Sequence, residues 1–218
     1  MTTLQDKKMV IVGAGSGIGR RLAADAEAQG AQVISVGRPE LDLADEATVR
    51  AMAERIGEVD YLVSPAADHA NGPVTTLDHD AVRRAFDAKV IGPILLAKHF
   101  APRFRAGGAM LLFSGIAAWR PSPGRSVMAT TNAAAAALAE ALAVELAPVR
   151  VTAISPGIVD SGVWDGPGKE GFFRTVADRN PARRVGTPAD ISAAALLALT
   201  NPFLTGTTLH VDGGGRLA

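Results

Sequence analysis

Four apolar residues, Met9 to Val12, run unbroken into Gly13-Ala14-Gly15-Ser16-Gly17-Ile18-Gly19, after which Ile18, Leu22 and Ala26 recur four apart. The apolar run fits a strand buried on both faces, and the fourfold recurrence fits a helix with one face on a core. The alternation continues along the chain. Residues 31–36 predict a second strand ending at Gly37-Arg38-Pro39, 40–43 a very short third, and 45–56 a helix with acidic residues early. A strand is expected at 60–63, then a helical stretch over 81–104 that Pro93 and Pro102 bend or divide. A strand at 108–113, a Pro/Gly loop at 120–124, an alanine-rich helix at 126–146 and a strand at 150–154 follow. Residues 156–187 lack a clean period, which suggests a mobile loop carrying a short helix. A helix at 189–199 and a strand at 207–211 close the series. Strands alternating with helices predict an α/β fold: a doubly wound, mainly parallel sheet in three α/β/α layers.

Composition narrows this picture. A chain of 218 residues with 48% hydrophobic content suits one domain, 1–218, with a substrate-loop excursion at about 157–187. Twenty-two basic residues balance twenty-two acidic ones, so no strong field favours nucleic acid or an anionic membrane. Cysteine is absent, which removes thiolate chemistry and cysteine-ligated metals. His79, His99 and His210 have no metal-like spacing, and no metal is expected. The first eight residues are too short and polar for a signal peptide, and no uninterrupted apolar stretch is expected to span a membrane. The expected location is the cytoplasm.

Glycines between a strand and a helix let the backbone approach a pyrophosphate, whose charge the unpaired N–H groups of the helix start can hold. With the remaining motifs, the chain resembles a compact, single-domain short-chain dehydrogenase/reductase over nearly its whole length. The carrying residues are Gly13, Gly17 and Gly19, with Val12 in place of the usual threonine; 156–161 (Pro-Gly-Ile-Val-Asp-Ser); 184–191 (Arg-Val-Gly-Thr-Pro-Ala-Asp-Ile); Leu204-Thr205-Gly206; and Val211-Asp212-Gly213-Gly214. The resemblance implies a Rossmann-type dinucleotide fold, with cofactor contacts from Gly13, Ser16, Gly17, Ile18, Gly19, Ala66, Pro156, Gly157 and Val159. Asp42-Leu43 matches the pair that holds the adenine. At the end of the second strand the usual acid is Gly37 and Arg38 follows it, which favours the 2'-phosphate of NADP over the ribose diol of NAD. Ser64-Pro65-Ala66-Ala67 replaces the family's Asn-Asn-Ala-Gly and loses the asparagine contacts.

The family's catalytic residues are absent. Aligning the segment around Ser114 puts Gly115 at the catalytic serine, Met128 at the tyrosine and Asn132 at the lysine, while Lys89 holds the asparagine position. Lysine and asparagine have exchanged places. They are expected to face each other beneath the nicotinamide ribose, each in the other's usual role. The thioether of Met128 has no proton to give, whereas Lys89 could donate one if burial depressed its pKa. Ser114, Ser126, Thr130 and Thr131 are the nearby hydroxyls, and His69, after Asp68, is a substrate contact or a loop residue. Trp119 and Trp164 flank the expected active-site loops and suit either the wall of an apolar or aromatic pocket or ordinary local packing. The candidate catalytic set is Lys89, Ser114 and Asn132.

Two functions stay open. One is an NADP(H)-dependent oxidoreductase of altered mechanism acting on a small apolar carbonyl or conjugated substrate. The other is a catalytically silent dinucleotide-binding protein, a sensor or assembly partner. The helices over 81–104 and 126–146 correspond to the pair through which relatives form a four-helix interface. A homo-oligomer is therefore expected, a tetramer or a dimer, with Leu138, Leu142 and Leu146 as its apolar stripe and the C-terminal residues as a second contact.

Overall fold

The computed structural model describes residues 4–15 and 17–218. β1 (Lys8–Val12) lies between β2 (Gln32–Val36) and β3 (Val59–Ser64), and beyond β3 follow β4 (Phe104–Phe113), β5 (Arg150–Pro156) and β6 (Thr207–Val211). The described strands form one sheet in the order β2-β1-β3-β4-β5-β6, and every neighbouring pair is parallel. The chain builds outward from β1 first to one side and then to the other. That reversal opens a crevice at the carboxyl ends of β1 and β3, where sheets of this kind bind ligands.

Two apolar layers hold the helices on the sheet. α1 (Gly17–Glu27) and α7 (Pro188–Thr200) cover one face, where Leu22, Ile191 and Leu199 pack with Met9, Ile11 and Leu111. α2 (Glu46–Ile56), α4 (Gly92–Phe100) and α5 (Ser126–Glu145) cover the other, with Met52, Phe100 and Leu142 against Val10, Leu62 and Met110. The doubly wound, three-layer α/β/α fold is the one the alternation predicts. Contrary to expectation, α5 is long and apolar enough by length and composition to cross a bilayer. Its buried side chains, Met128 and Leu142 among them, pack instead as those of a core helix against β4 and β5.

Three local expectations fail for identifiable reasons. Residues 40–43 form turns rather than a third strand. Pro39 has no N–H to give, and the Asp42 N–H is taken by the Thr48 hydroxyl at 3.0 Å. Leu41 and Leu43 still point inward, which is why the stretch reads as a strand. The long helix starts earlier and ends earlier than its pattern suggests. α3 (His79–Phe86) is capped by Asp78, whose carboxylate accepts from the Ala81 N–H at 2.7 Å. A π turn over Asp87–Ile91 then joins it to α4, the Gly92 N–H reaching back to the Asp87 carbonyl. The widening falls just before Pro93, where the ladder already lacks a donor. The helix stops at Phe100, and Phe104 is the first residue of β4, not the last of the helix. The expected short helix in the 156–187 excursion is α6 (Lys169–Arg179).

Candidate active site

Two clefts meet at the carboxyl edge of the sheet. The inner one, of about 940 Å³, runs over the ends of β1, β2 and β3, and the outer one, of about 870 Å³, lies between α5, α6 and the loop after β4. Lys89, Ser114, His69 and Pro156 line both.

The inner cleft has the form of a nucleotide cradle. Gly13 turns the chain at φ +95° with Ala66 3.0 Å from where a Cβ would stand, so a side chain there is excluded twice over. Gly15 faces open space, with nothing within 4 Å of that position. A Cβ on Gly19 would stand only 2.9 Å from the Ala14 backbone, and Gly17 starts α1 against the Ser161 carbonyl. The cradle fits a pyrophosphate at a helix N-terminus. Ser16 lies outside the described residues. Ile18, Ala66, Asp42 and Leu43 line the wall, and one Asp42 oxygen accepts from the Ala44 N–H at 3.0 Å. Arg38 stands exposed at the rim beside Ser35 and Gly37, and its guanidinium has no partner among the described residues. Pro156 lines both clefts and Gly157 only the outer. Val159 lines neither; its side chain is buried with the α7 layer and its backbone bridges to Gly186.

At the junction, Lys89 points inward from the π turn and is 6% exposed. Its ammonium donates to the carbonyls of Phe113 and Ser114, each at 3.0 Å, and to Asn132 Oδ1 at 2.5 Å. The exchanged pair does face one another. With no carboxylate among these partners, burial pushes the Lys89 pKa down to about 8. Burial, and then the neighbouring Lys89 charge, also hold His69 below the usual imidazole value. Lysine is donor-only, so the Asn132 amide must present its oxygen to Lys89 and its Nδ2 elsewhere. Nδ2 hydrogen-bonds to no described residue and lies 2.8 Å from where a Gly115 Cβ would stand. Both Gly115 and Asn132 line the outer cleft.

Three of the four nearby hydroxyls are committed, and the fourth, Ser126, is exposed at the start of α5. Ser114, 4% exposed, donates to the Asn132 backbone carbonyl at 2.8 Å, Thr131 to Val127 at 3.0 Å and Thr130 to Ser126 at 2.9 Å. Met128 lines the outer cleft at the expected tyrosine position. Trp164 is part of that wall and stacks near Phe172 at 4.9 Å, while Trp119 packs edge-on against His210. The sequence reading missed Arg120, Arg125 and Arg179, which also line this cleft. Only Arg179 left a signal, the spacing of Phe172, Thr175, Val176 and Arg179, which places all four on one face of α6.

A parallel sheet with a glycine cradle at its switch point defines a dinucleotide-binding α/β protein. Residues 40–215 match the family model described as enoyl-(acyl carrier protein) reductase. The chain belongs to the short-chain dehydrogenase/reductase family, whose members are NAD(P)-dependent oxidoreductases. It is 30% identical to L-xylulose reductase of Mesocricetus auratus, over 97% of each chain, and 29% identical to short-chain reductase protein NovJ of Streptomyces niveus, over 96% of this chain and 94% of that one. Among solved structures it is similar to a small-chain dehydrogenase in complex with NADPH, with a TM-score of 0.93 and 34% identity over 98% of this chain and 100% of that one. It is also similar to 3-ketoacyl-(acyl-carrier-protein) reductase from Brucella melitensis complexed with NADH, with a TM-score of 0.86 and 27% identity, at the same coverage.

Proposed function

We propose that the protein is an NADP(H)-dependent oxidoreductase of altered mechanism, reducing a carbonyl or conjugated bond in a small substrate with an apolar body. The observation that carries this reading is the buried Lys89 ammonium hydrogen-bonded to Asn132 where the two clefts meet. Gly13, Gly15, Ile18, Ala66, Asp42 and Leu43 would hold the dinucleotide, with Arg38 beside its 2'-phosphate. When bound, a reduced nicotinamide supplies a hydride to the substrate carbon. The chain's own residues then manage the oxygen. Asn132 Nδ2 donates to the oxygen as charge develops on it, and the Lys89 hydrogen bond to Oδ1 polarises the amide and strengthens that donation. Lys89, with a pKa of about 8, provides the proton that completes the alcohol or enol and recovers one from solvent.

One observation favours the silent alternative: all three Lys89 donors are already engaged by carbonyl groups, and Met128 supplies none. The two readings separate by NADPH fluorescence on binding, followed by turnover against a mixed panel of ketones, quinones and enones. Binding with oxidation that Lys89→Met abolishes is the expected result. Tight NADPH binding with no oxidation across the panel would leave the sensor or assembly role.

A further inference from the structure

The outer cleft is cationic in a protein with no net charge. Lys89, Arg120, Arg125 and Arg179 line it, and among the described residues of its wall the only carboxylate is Asp212. Asp212 is already spoken for: its oxygens accept from the Gly214 and Arg216 N–H groups at 3.0 and 3.1 Å, and the Arg216 guanidinium lies 3.3 Å away. The inner cleft differs, because Arg38, Arg84 and Lys89 there meet Asp42, Asp68 and Asp87.

The three arginines come from two segments, the loop between β4 and α5 and the end of α6, and line one cleft without carboxylate partners. Arg120 follows the loop after β4 and donates to the Gly215 carbonyl at 2.8 Å, which anchors its head at the cleft wall. Arg125 precedes α5 and stacks over Trp164, its guanidinium carbon 5.8 Å from the ring centre. Arg179 ends α6, and its guanidinium has no hydrogen-bond or ion-pair partner among the described residues. Every residue of α6 keeps some exposure, yet the face with Phe172, Val176 and Arg179 is turned into the cleft. A helix that places an apolar stripe and a free guanidinium over a cavity needs something in the cavity to pack against.

We propose that the outer cleft recognises an organic acid: an apolar chain or ring lies against Trp164, Phe172 and Met128, and an oxyanion is held by Arg125 and Arg179, with Arg120 behind. Guanidinium forks pair with carboxylate and phosphate oxygens alike, so both sources share this chemistry. The proposal names the substrate class for the reaction proposed above and rests on that reading for turnover. Recognition of the anion does not depend on it.

The test is direct binding, followed by the intrinsic fluorescence of Trp164 and by calorimetry, with NADPH titrated separately. The probes are 2-oxo-4-phenylbutanoate, its ethyl ester and phenyl phosphate. The keto acid should bind about tenfold or more tightly than the ester, a gap expected for a lost charge-assisted pair. Arg125→Gln and Arg179→Gln should each remove most of that preference while NADPH affinity and melting temperature stay unchanged. Tighter binding of phenyl phosphate, lost in the same variants, would identify phosphate as the oxyanion and support the proposal. Equal binding of acid and ester, an unchanged preference in both variants, or no binding of either anion would overturn it. A protein that binds the keto acid but not NADPH would fail the oxidoreductase reading and keep this one.

Discussion

Lys89 Nζ lies 2.5 Å from Asn132 Oδ1, and that hydrogen bond fixes which end of the Asn132 amide is left free in the wall of the outer cleft. The pair joins the π turn after α3 to α5 across the sheet edge and sits beneath Gly115, which leaves space where a side chain would collide with Asn132. Lysine at 89, glycine at 115 and asparagine at 132 are therefore one arrangement rather than separate losses.

That coupling predicts a swap. Asn132→Lys alone sets a second ammonium against Lys89 in a buried site, and should cost roughly 3 kcal/mol or more. Adding Lys89→Asn should recover at least half of the loss, because one cation then faces one amide again. Urea unfolding of both singles and the double gives the coupling energy; simple additivity would show that the two side chains do not act as a pair. Met128→Tyr by itself should give no robust ketone reduction, since neither the lysine at 132 nor the serine at 115 is there to tune it.

Ionisation of Lys89 should appear in the pH dependence of stability. Its folded pKa of about 8 lies below the ordinary 10.5, so between those values the unfolded chain holds more protons than the folded one. Stability from this group therefore rises as pH climbs from about 8 through 10.5 and is lost at lower pH; at about 1.4 kcal/mol per unit the full swing is roughly 3 kcal/mol. Wild type should gain stability relative to Lys89→Met over that window. Parallel curves for the two proteins would mean that Lys89 titrates as if exposed. If Lys89 also gives up the proton in turnover, NADPH oxidation should slow above about pH 8.

The exchange at 89 and 132 was readable from sequence because each residue keeps a fixed place in a motif. The same holds for the start of α7. Thr187 and Asp190 form a capping box there, and Arg184 pairs with Asp190 at 2.6 Å, holding that carboxyl far below the usual range. Periodicity failed where local bonding competes with it. Apolar spacing cannot report that Thr48 takes the Asp42 N–H, or that the helix before Pro93 widens by a residue and turns Lys89 inward. The arginines of the outer cleft were hidden for another reason: residues 120, 125 and 179 meet only after folding, and each alone reads as a solvated surface charge.

Arg38 offers a separate test of cofactor choice. An exposed guanidinium at the end of β2, with glycine before it in place of an acid, can pair with a 2'-phosphate and gains nothing from a ribose diol. Arg38→Ala should weaken NADP(H) binding by about tenfold or more and change NAD(H) binding little. Equal losses for both cofactors in fluorescence titrations would remove the assignment.

Assembly is the remaining expectation, and the structure changes its basis. Leu142 is buried in the protein's own core with Leu96 and Phe100, and Leu138 and Leu146 pack half-buried against it, so most of the expected leucine stripe turns inward. What α5 presents outward is Ala133, Ala137, Ala141 and Val144, the last 82% exposed, interrupted by Thr130, Glu140 and Glu145, while Ile91 and Ile94 are each 45% exposed on the neighbouring π turn and α4. Small side chains beside exposed isoleucines allow two copies of this helix pair to approach closely and remove apolar surface from water. Leu217, 76% exposed, leaves an apolar side chain on the C-terminal segment, the second contact expected, which would extend a dimer to a tetramer. Light scattering at micromolar concentration should therefore give a mass of two or four times 22.4 kDa. Ala137→Glu places a charge on the outward face of α5 without touching the core, and should reduce the assembly by half or to monomers while leaving the fold intact by circular dichroism. A wild-type particle near 22.4 kDa would refute both contacts. A stable dimer that Ala137→Glu does not disturb would move the interface away from α4 and α5 and onto the C-terminal segment with Leu217.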